Sequence, residues 1–592
     1  MKSRIHRRFA LPALLIVALT AGAQQPSIDT FFQQFNDAAV RRNPNLAVSM
    51  NFFQGEEQDR LSRELTPVSR EYDLESIRIA QDGLKQLAAF DRATLTPSQR
   101  QSADVLRWQL QSIVDSAQSM DYSFPLQQMS GVNVGLPNAL TVTHPLNTPR
   151  DAENYLARLK QVDLRMQEAT AESERQAALG IVPPRFILEA TIAQMQRFIA
   201  SAPAQNPLVT EPAGKLEKVA AVDAPRRAQF VAEATAVVEQ EVYPAWRTAI
   251  ATLEKQLPKA GNDAGLWRFP NGQAMYARQL ERFTTTKLTA PEVHAIGRRE
   301  VARIEFEMDR LFRQLGYNEG TIAEREKKLA DDLAYPNTPE GRQQVMTEIN
   351  TILADALKRT AGSFDIRPKS AVIAQPYPEF RWANAAASYT APPADGTRPG
   401  IFQMPLRPSS LTKFALRTLV YHETVPGHHF QVALSVEDTN QPAFRRIRTF
   451  GGFSSITEGW ALYAERFAVE DGWYGNDIAG RLGQLSDALF RARRLVVDTG
   501  LHAMGWTRQQ AIDYGIEASE VERYVVTPGQ ACSYMIGQLA IVDLREKARA
   551  KLGARFSIRG FHNAVLRAGV VPLPVLEEVV NAWVAETGAS SD

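Results

Sequence analysis

Cysteine is almost absent from this sequence of 592 residues, which contains only Cys532. A single cysteine cannot form an intramolecular disulfide and cannot build a cysteine metal cluster. Any metal ion would therefore be held by histidine and carboxylate side chains. Histidine is scarce too, with eight residues in the whole chain, so histidines that lie close together in the sequence stand out.

The sequence also lacks an excess of charge of either sign. Lysine and arginine total 67 and aspartate and glutamate total 66, a formal net charge of +1. This balance argues against a nucleic-acid partner, because nucleic-acid-binding proteins usually carry a basic excess on one face. The hydrophobic share of 44% and the charged share of 22% indicate an ordinary globular chain and exclude a disordered one.

Long apolar runs are missing after the first 23 residues, so no later segment approaches the roughly 20 residues that span a bilayer. Residues 1–23 predict an export signal, with a basic start, an apolar run over residues 9–19 and small residues at the end. An uncleaved membrane anchor is the alternative. We expect an exported protein, periplasmic or secreted, with no membrane span once the signal is removed.

Helical periodicity dominates the rest of the chain and predicts a mainly α fold. Apolar residues recur at spacings of three and four over residues 28–48, 75–118 and 301–315. Gly316 follows the last of these segments, at the position of a helix C-cap. We therefore expect a large helical body.

Two segments depart from this pattern. Residues 120–149 show no periodicity and predict a long loop at the surface or beside a site, whereas dense prolines near residues 370–407 exclude a helix and favour a short sheet. No repeat or flexible linker divides the chain. We expect an N-terminal helical region over residues 24–265 and a catalytic region over residues 266–592, within one continuous domain. Nothing in the sequence indicates an oligomeric state.

Three of the eight histidines fall within residues 421–429, Tyr-His-Glu-Thr-Val-Pro-Gly-His-His. The residues before them have helical periodicity, which places His422 and Glu423 on a helix. Helical zinc peptidases carry their second histidine four residues after the first, with a glutamate beside the first. Here that position is Pro426, so the usual spacing fails. A chance cluster and buried structural histidines are the alternatives.

A bulge would restore the missing ligand. On a straight helix His428 would lie roughly 240° around from His422, and His429 would lie about 10.5 Å along the axis. Pro426 has no N–H to bond to the carbonyl of His422, and Gly427 can adopt conformations closed to other residues. We therefore expect the chain to bulge before His428 and bring it under His422, with His429 pointing away into packing or a hydrogen bond.

A third ligand is predicted about thirty residues downstream. The run Ile-Thr-Glu-Gly-Trp-Ala over residues 456–461 resembles the helix on which gluzincin peptidases carry a glutamate ligand before Gly-aromatic-Ala. Thr457 is a candidate N-cap, which would place Glu458 at the helix start and Glu465 on the same face, behind the ligands. A lone glutamate in a first turn is more often a partner of the helix dipole.

Many segments in order along the chain resemble one family, the DUF885 proteins, which are exported bacterial proteins grouped with gluzincin-type zinc metallopeptidases. Besides the histidine and glutamate segments, the matching residues are 270–276, 288–297, 395–400, 498–502 and 523–534. The resemblance implies a large, mainly α, gluzincin-like body with a zinc cleft. It implies one Zn²⁺ per chain, held by His422, His428 and Glu458, and no known substrate.

The helix expected over residues 482–503 offers further candidates. One side of this helix carries an apolar stripe and the opposite side carries a polar stripe. The spacing of the polar residues alone predicts an exposed ladder of ion pairs. The polar stripe contains Asp487, Arg491, Arg494, Asp498 and His502. The family resemblance favours His502 facing the zinc pocket, where it would bind substrate or an oxyanion while Asp498 holds its tautomer.

A second helix is predicted to begin at residues 527–530, Thr-Pro-Gly-Gln, which form a capping-box sequence. Tyr534 on this helix is a candidate oxyanion donor, because a phenol stabilises negative charge without competing for the metal. A tyrosine of the core is the alternative. Arg523 and Tyr524 are further candidates. Arg523 could bind a substrate carboxylate, which would favour carboxypeptidase or dipeptidase action.

These residues predict a hydrolase, a zinc metallopeptidase that acts on small peptides. Glu423 would take a proton from the attacking water and pass it to the leaving amine, with help from Tyr534 or His502. The alternatives are an exported metal- or peptide-binding protein without turnover, and a zinc hydrolase of a non-peptide amide or ester. Glu423 favours an enzyme, because a binding-only zinc site does not need it.

Overall fold

The computed structural model describes residues 26–377, 379, 382, 386–393, 396 and 398–589. The predicted export signal lies outside the described residues, as does Asp395 of the family motif. Twenty-six α-helices and three short strands make up the described part, which confirms the mainly α class with a small β element. Within these residues, no helix combines the length and the apolar character needed to cross a membrane.

Thirteen α-helices, α1 to α13, occupy the chain as far as residue 284. In order they are Ile28–Arg42, Pro44–Met50, Gly55–Leu61, Arg70–Ala88, Pro97–Ser116, Val132–Thr141, Pro149–Leu159, Val162–Ala178, Arg185–Phe198, Pro207–Leu216, Ala224–Val237, Tyr243–Gln256 and Gly272–Thr284. Several begin where the sequence places a cap followed by proline: Thr96 and Thr148 each form a capping box.

The loop predicted for residues 120–149 is wrong in its centre, where α6 (Val132–Thr141) forms. Gly135 and Pro137 lower the helical propensity of this segment and conceal its periodicity. The buried residues Leu136 and Leu140 nevertheless keep the spacing of four that faces one side of a helix. Burial of these leucines therefore outweighs the local preference for a loop.

The second half of the chain contains α14 to α26 and the three strands. The helices are Ala290–Gln314, Ile322–Asp332, Pro339–Ser363, Leu416–Glu423, His428–Glu437, Ala443–Arg446, Ser454–Glu470, Ile478–Ala503, Arg508–Asp513, Ala518–Val526, Ser533–Leu552, Ile558–Ala568 and Leu573–Ala589. The strands β1 to β3 are Val372–Pro376, Ser388–Thr390 and Gly400–Met404.

The predicted short sheet is present and has the strand order β1-β3-β2. β1 runs parallel to β3, with Val372 opposite Gly400, and β2 runs antiparallel to β3, with Tyr389 opposite Phe402. Phe402 is fully buried in the main core. The sheet thereby fixes β2 as an edge strand beside the helices that carry the histidines.

Two large hydrophobic clusters hold the body together. One lies entirely within residues 65–260. The other joins the first helices to the end of the chain: it contains Phe31 and Phe32 of α1 together with Phe444, and it extends to Val580 in α26. The core therefore crosses the boundary that was predicted near residue 265.

The helices α20 and α24 cross closely, and two glycines face each other at the crossing. A Cβ on Gly459 would lie 2.5 Å from the backbone carbon of Gly537, and one on Gly537 would lie 1.9 Å from the carbonyl oxygen of Ser455. Only glycine permits this approach of the two backbones. The contact fixes the position of Glu458, which precedes Gly459.

We expect Gly537→Ala to lower the free energy of unfolding by about 3 kcal/mol, because the added methyl group overlaps a backbone carbonyl and the helices must separate. The measurement is the midpoint of urea unfolding. Gly214→Ala is the matched control, because no atom lies within 4 Å of its added Cβ; the helix should gain up to about 1 kcal/mol there. Equal midpoints for the two variants would contradict the packing described for α20 and α24.

Candidate metal centre

His422, His428 and Glu458 come together from three helices. His422 lies near the end of α17, His428 begins α18 and Glu458 lies in the second turn of α20. One ligand atom from each of them lies within 4.8 Å of the others. The Nε2 atoms of His422 and His428 are 3.7 Å and 3.5 Å from Oε2 of Glu458. The carboxylate thus faces both imidazoles.

The donor set and its spacing fit a zinc ion. Zn–N and Zn–O bonds of about 2.0–2.1 Å in a tetrahedral arrangement separate neighbouring ligand atoms by roughly 3.3 Å. The two distances to Glu458 are slightly larger than this, and both are too long for good hydrogen bonds. Two imidazoles and one carboxylate are also a usual ligand set for zinc with a catalytic role.

The predicted bulge takes the form of a break between two helices. α17 ends at Glu423 and α18 begins at His428. The N–H of Gly427 donates to the carbonyl of Tyr421 at 3.0 Å, which folds the chain back over the helix end. A Cβ on Gly427 would lie 2.0 Å from the carbonyl oxygen of His422, so the break requires glycine at this position.

His429 points away from the cluster, in the direction that the bulge predicts. Its Nε2 donates to the carbonyl of Ser370 at 3.1 Å, and its Nδ1 accepts from the hydroxyl of Tyr389 at 2.9 Å. Burial lowers the pKa of His429 to about 4, so the ring is neutral. Both ring nitrogens are therefore engaged outside the group formed by His422, His428 and Glu458.

Glu465 supports His422 from behind. The Nδ1 of His422 donates to Oε1 of the fully buried Glu465 at 2.6 Å. This bond fixes the ring orientation and leaves the Nε2 lone pair for the side of Glu458 and His428, an arrangement typical of metal-binding histidines. The N-cap predicted at Thr457 is wrong: α20 begins at Ser454, and the Thr457 hydroxyl donates to the carbonyl of Phe453.

The carboxylates make the cluster attractive to positive charge. Burial disfavours a charged His422, but Glu458 and Glu465 outweigh it and raise the pKa of His422 to about 10. Burial also acts against a charged Glu458, yet His428 and His422 lower the pKa of that carboxyl. The pKa of Glu465 is raised, mainly by burial. The charge pattern therefore suits a cation between the three side chains.

Glu423 is the last residue of α17 and follows His422 directly. Its side chain is buried, with 7% of the residue exposed. Within the described part of the chain, no hydrogen bond engages its carboxylate. Its oxygens are not among the fully enclosed polar atoms that lack a partner, so the carboxylate is open to a water or a substrate group.

A family model for "Bacterial protein of unknown function (DUF885)" matches residues 44–580. The match spans most of the sequence and includes every residue of the candidate metal centre. The chain belongs to the DUF885 family. No curated protein matches this chain.

Two solved structures share the fold of this DUF885 protein. A candidate lipoprotein from Colwellia psychrerythraea is 30% identical, with a TM-score of 0.89, and the match covers 94% of this chain and 99% of that chain. A candidate lipoprotein of unknown function from Shewanella oneidensis is 18% identical with a TM-score of 0.69, and the coverage is again 94% and 99%. The second likeness shows the fold alone.

Tyr534 of the DUF885 chain lies at the start of α24, not two turns into a helix. The predicted capping box is wrong, because Thr527 ends α23 and Gly529 adopts a left-handed turn with φ of 80°. The helix then begins at Ser533. The guanidinium of Arg494 lies 4.4 Å from the centre of the Tyr534 ring, and no described residue hydrogen-bonds to the Tyr534 hydroxyl.

His502 holds two backbone segments together. The N–H of Leu266 donates to its Nδ1 at 3.2 Å, and its Nε2 donates to the carbonyl of Tyr524 at 3.0 Å. The ring stacks on Tyr276, and burial lowers the pKa of His502 to about 4. Both nitrogens are used in these bonds, so the predicted direction of His502 towards the zinc pocket is wrong.

Asp498 does not hold the tautomer of His502, contrary to the prediction. Its carboxylate accepts from the hydroxyl of Tyr276 at 2.5 Å and from the N–H of Gly529 at 2.9 Å. Burial raises the pKa of Asp498 to about 7, against the effect of these two donors. The residue therefore anchors the turn before α24 to α21.

The ladder of ion pairs expected on α21 forms at one end only, and it is not exposed there, because the side chains of Asp487 and Arg491 are only 25% and 12% exposed. Arg491 donates to Asp487 at 2.6 Å, but Arg494, Asp498 and His502 are buried. The periodicity shows which residues share a face, whereas helices from other parts of the chain decide whether that face meets solvent.

Arg523 and Tyr524 are engaged in a buried network around Glu520. The carboxylate of Glu520 accepts from Arg523 at 2.9 Å, from the Tyr524 hydroxyl at 2.9 Å and from Arg494 at 3.0 Å. Arg523 also donates to the side-chain oxygen of Gln530. The charge of Arg523 is therefore already shared with a carboxylate of the protein.

A cavity of about 630 Å³ lies beside the N-terminal helices. The turn before α6 lines it with Phe124, Pro125, Gln127, Ser130 and Gly131. Its lining, as far as the structure describes it, includes Thr527 and Pro528 but none of the three candidate ligands. The neighbouring Gln530 donates to the hydroxyl of Ser454 at 3.2 Å, which links this wall to the start of α20.

The two carboxylates of the centre should respond differently to substitution. We expect Glu458→Ala to lose zinc, because two neutral imidazoles alone form a weak site. Glu465→Ala should still bind zinc, with affinity reduced by about 10- to 100-fold, because it orients His422 without being a ligand. Glu465→Gln should lose least, since its amide oxygen can still accept from Nδ1. Metal content after dialysis, measured by mass spectrometry, separates the cases; equal losses for Glu458→Ala and Glu465→Ala would mean that the ligand has been wrongly assigned.

Proposed function

We propose that this protein is an exported zinc metallopeptidase that hydrolyses peptide bonds in small peptides. The observation that carries the proposal is the convergence of His422, His428 and Glu458, with the carboxylate of Glu465 fixing the orientation of His422. Glu423 adds a carboxylate that makes no hydrogen bond to any described residue, directly after the first histidine. A site that only stores metal has no need of this residue.

His422, His428 and Glu458 would hold one Zn²⁺ per chain. When bound, zinc supplies Lewis-acid polarisation of the substrate carbonyl and lowers the pKa of water. Glu423 would accept the proton of the attacking water and deliver it to the leaving amine. The Tyr534 hydroxyl is the candidate donor to the developing oxyanion, because no described residue competes for it.

An exported location is part of the proposal. The related structure from Colwellia psychrerythraea is described as a candidate lipoprotein, and lipoproteins are exported proteins. The predicted signal in residues 1–23 supports the same location, periplasmic or secreted. A protein outside the cytoplasm meets peptides from the surroundings and from the cell envelope, which suits a peptidase for small peptides.

The test is a digest of a peptide library by the purified protein, with and without a metal chelator, alongside a measurement of zinc content. We expect about one zinc per chain and cleavage that stops when the chelator is added. Stoichiometric zinc without cleavage would favour the binding protein without turnover. Hydrolysis of amide or ester substrates in the absence of peptide cleavage would instead favour the non-peptide hydrolase.

A further inference from the structure

Arg448 has an unusual backbone. It lies in the segment between α19 and α20, and its φ of 56° is in the left-handed region. This region is unfavourable for side chains other than glycine and occurs mostly where the surrounding structure needs a particular side-chain position. The carbonyl of Arg448 accepts from the N–H of Gly451 at 2.9 Å, which closes a tight turn. The turn therefore holds the arginine in place before the helix that carries Glu458.

The guanidinium of Arg448 has no counterion. It makes no hydrogen bond or ion pair with any described residue, and one terminal nitrogen, Nη2, is fully enclosed without a partner. Burial lowers the pKa of Arg448. A guanidinium almost always finds carboxylate or carbonyl acceptors when it is buried. The other two guanidinium nitrogens are not fully enclosed, so the group is open to an acceptor from outside the protein.

Two observations place Arg448 near β2 and the start of α20. Its charge acts on Tyr389 of β2, and the Tyr389 hydroxyl bonds to His429, which directly follows His428. On the other side, the Cδ atom of Arg448 packs on Gly452, where an added Cβ would lie 3.4 Å away. Gly452 is two residues before α20. The arginine therefore lies where the two ligand-bearing helices α18 and α20 begin.

Among the described residues, the nearby charges leave a positive excess. Arg398 and Glu437 also act on Tyr389. The Glu437 carboxylate, however, is used by the backbone, because it accepts from the N–H groups of Lys369 at 2.8 Å and Ser370 at 2.9 Å. This wall of the site therefore attracts an anion.

Arg448 is better suited to bind a carboxylate than Arg523, the residue considered from sequence. Arg523 shares Glu520 with Arg494 and Tyr524, so a substrate carboxylate would have to compete with a carboxylate of the protein. Arg448 has no such competitor among the described residues. Arginine also matches a carboxylate with two parallel hydrogen bonds.

We propose that Arg448 binds the C-terminal carboxylate of the substrate, so that the enzyme cleaves short peptides near their free carboxyl end. This inference rests on the proposed peptidase function. An extended peptide advances by at most about 3.3–3.6 Å per residue, so a carboxylate held at the start of α20 belongs to a residue shortly after the cleaved bond. The substrate class is therefore peptides with a free C-terminus, and the action is that of a carboxypeptidase.

The experiment uses a library of N-acetylated tripeptides in two forms, with a free C-terminal carboxylate and with a C-terminal amide. We expect wild-type kcat/KM to be about 100-fold higher for the free acids, because the amides cannot form the charge-assisted pair of hydrogen bonds with Arg448. Arg448→Met should slow the cleavage of the free acids and leave the cleavage of the amides unchanged, so that the preference disappears. Arg446→Met is the matched control and should keep the preference, because Arg446 bonds only to the carbonyl of Val436 among the described residues.

Other outcomes separate this inference from the proposed function. Cleavage of acids and amides at equal rates by the wild-type protein would overturn the role of Arg448 and leave the peptidase standing. A preference for acidic side chains in the amidated library would also overturn it. If neither form is cleaved, titration calorimetry of the same peptides decides: binding of the acids must be at least about 10-fold tighter than that of the amides and must depend on Arg448.

Thermal unfolding tests a structural role for Arg448. Arg448→Met removes a buried charge without a partner and keeps most of the side-chain volume, so the melting temperature should not fall. A lower melting temperature together with equal slowing of acid and amide cleavage would assign Arg448 to the fold and overturn the proposal.

Discussion

Glu423→Gln should retain about one zinc per chain and lose peptide cleavage by roughly 100- to 10,000-fold, the usual contribution of a general base. The substitution keeps the size and shape of the side chain and removes only its capacity to take a proton. Glu423 is not among the three residues whose ligand atoms converge, so metal binding should not depend on its charge. The measurements are zinc content by mass spectrometry and kcat/KM on the most rapidly cleaved library peptide.

Glu577→Gln is the matched control for Glu423→Gln. Glu577 is exposed on α26, and the same chemical change there should alter neither zinc content nor cleavage. Full activity in a zinc-loaded Glu423→Gln protein would remove the proposed mechanism. Loss of zinc in that variant would instead make Glu423 a ligand and would require a different base.

His428→Ala should abolish zinc binding and cleavage, whereas His429→Ala should retain most of its zinc. The Nε2 of His428 lies 3.5 Å from Glu458, so its removal leaves one imidazole and one carboxylate, too few ligands for a stable zinc site. His429 is turned towards Tyr389 and Ser370. Its loss should cost about 1–3 kcal/mol of stability through the groups left unpaired.

Titration of the metal-free variants with Zn²⁺, followed by calorimetry, measures the difference between these neighbouring histidines. Each variant is the control for the other, because both remove an imidazole from the first turn of α18. Loss of zinc from His429→Ala with retention in His428→Ala would reverse the ligand assignment and contradict the break described at Gly427.

The structure was predicted best from the sequence where it depends on residues that are adjacent along the chain. The helix expected over residues 301–315 lies within α14, and Gly316 follows it with φ of 86°. The break before His428 could be predicted because the missing N–H of Pro426 and the small size of Gly427 act within one turn. In both places, the forces that decide the structure come from adjacent residues.

The predictions were wrong where residues from distant parts of the chain determine the local structure. Thr457 and Thr527 have the composition of helix caps, but the start of α20 packs on Gly537 at Ser455, and the turn before α24 is held by the hydrogen bond from Gly529 to Asp498. The direction of His502 depends on Leu266, which is more than two hundred residues away in sequence. Arg448 acts electrostatically on Tyr389 and packs on Gly452, and no spacing rule connects β2 to the segment before α20.

The core that joins both ends of the chain sets the order in which the protein can fold. Synthesis proceeds from the N-terminus, but the phenylalanines of α1 pack against Phe444 and share a core with Val580. Part of the apolar face of the first helix must therefore wait until most of the chain has been made, although Phe90 packs against Phe31 earlier. Contacts so distant in sequence form slowly. A chain in this waiting state is extended enough to be threaded through a membrane pore, and it is also the state that a chaperone must protect from aggregation.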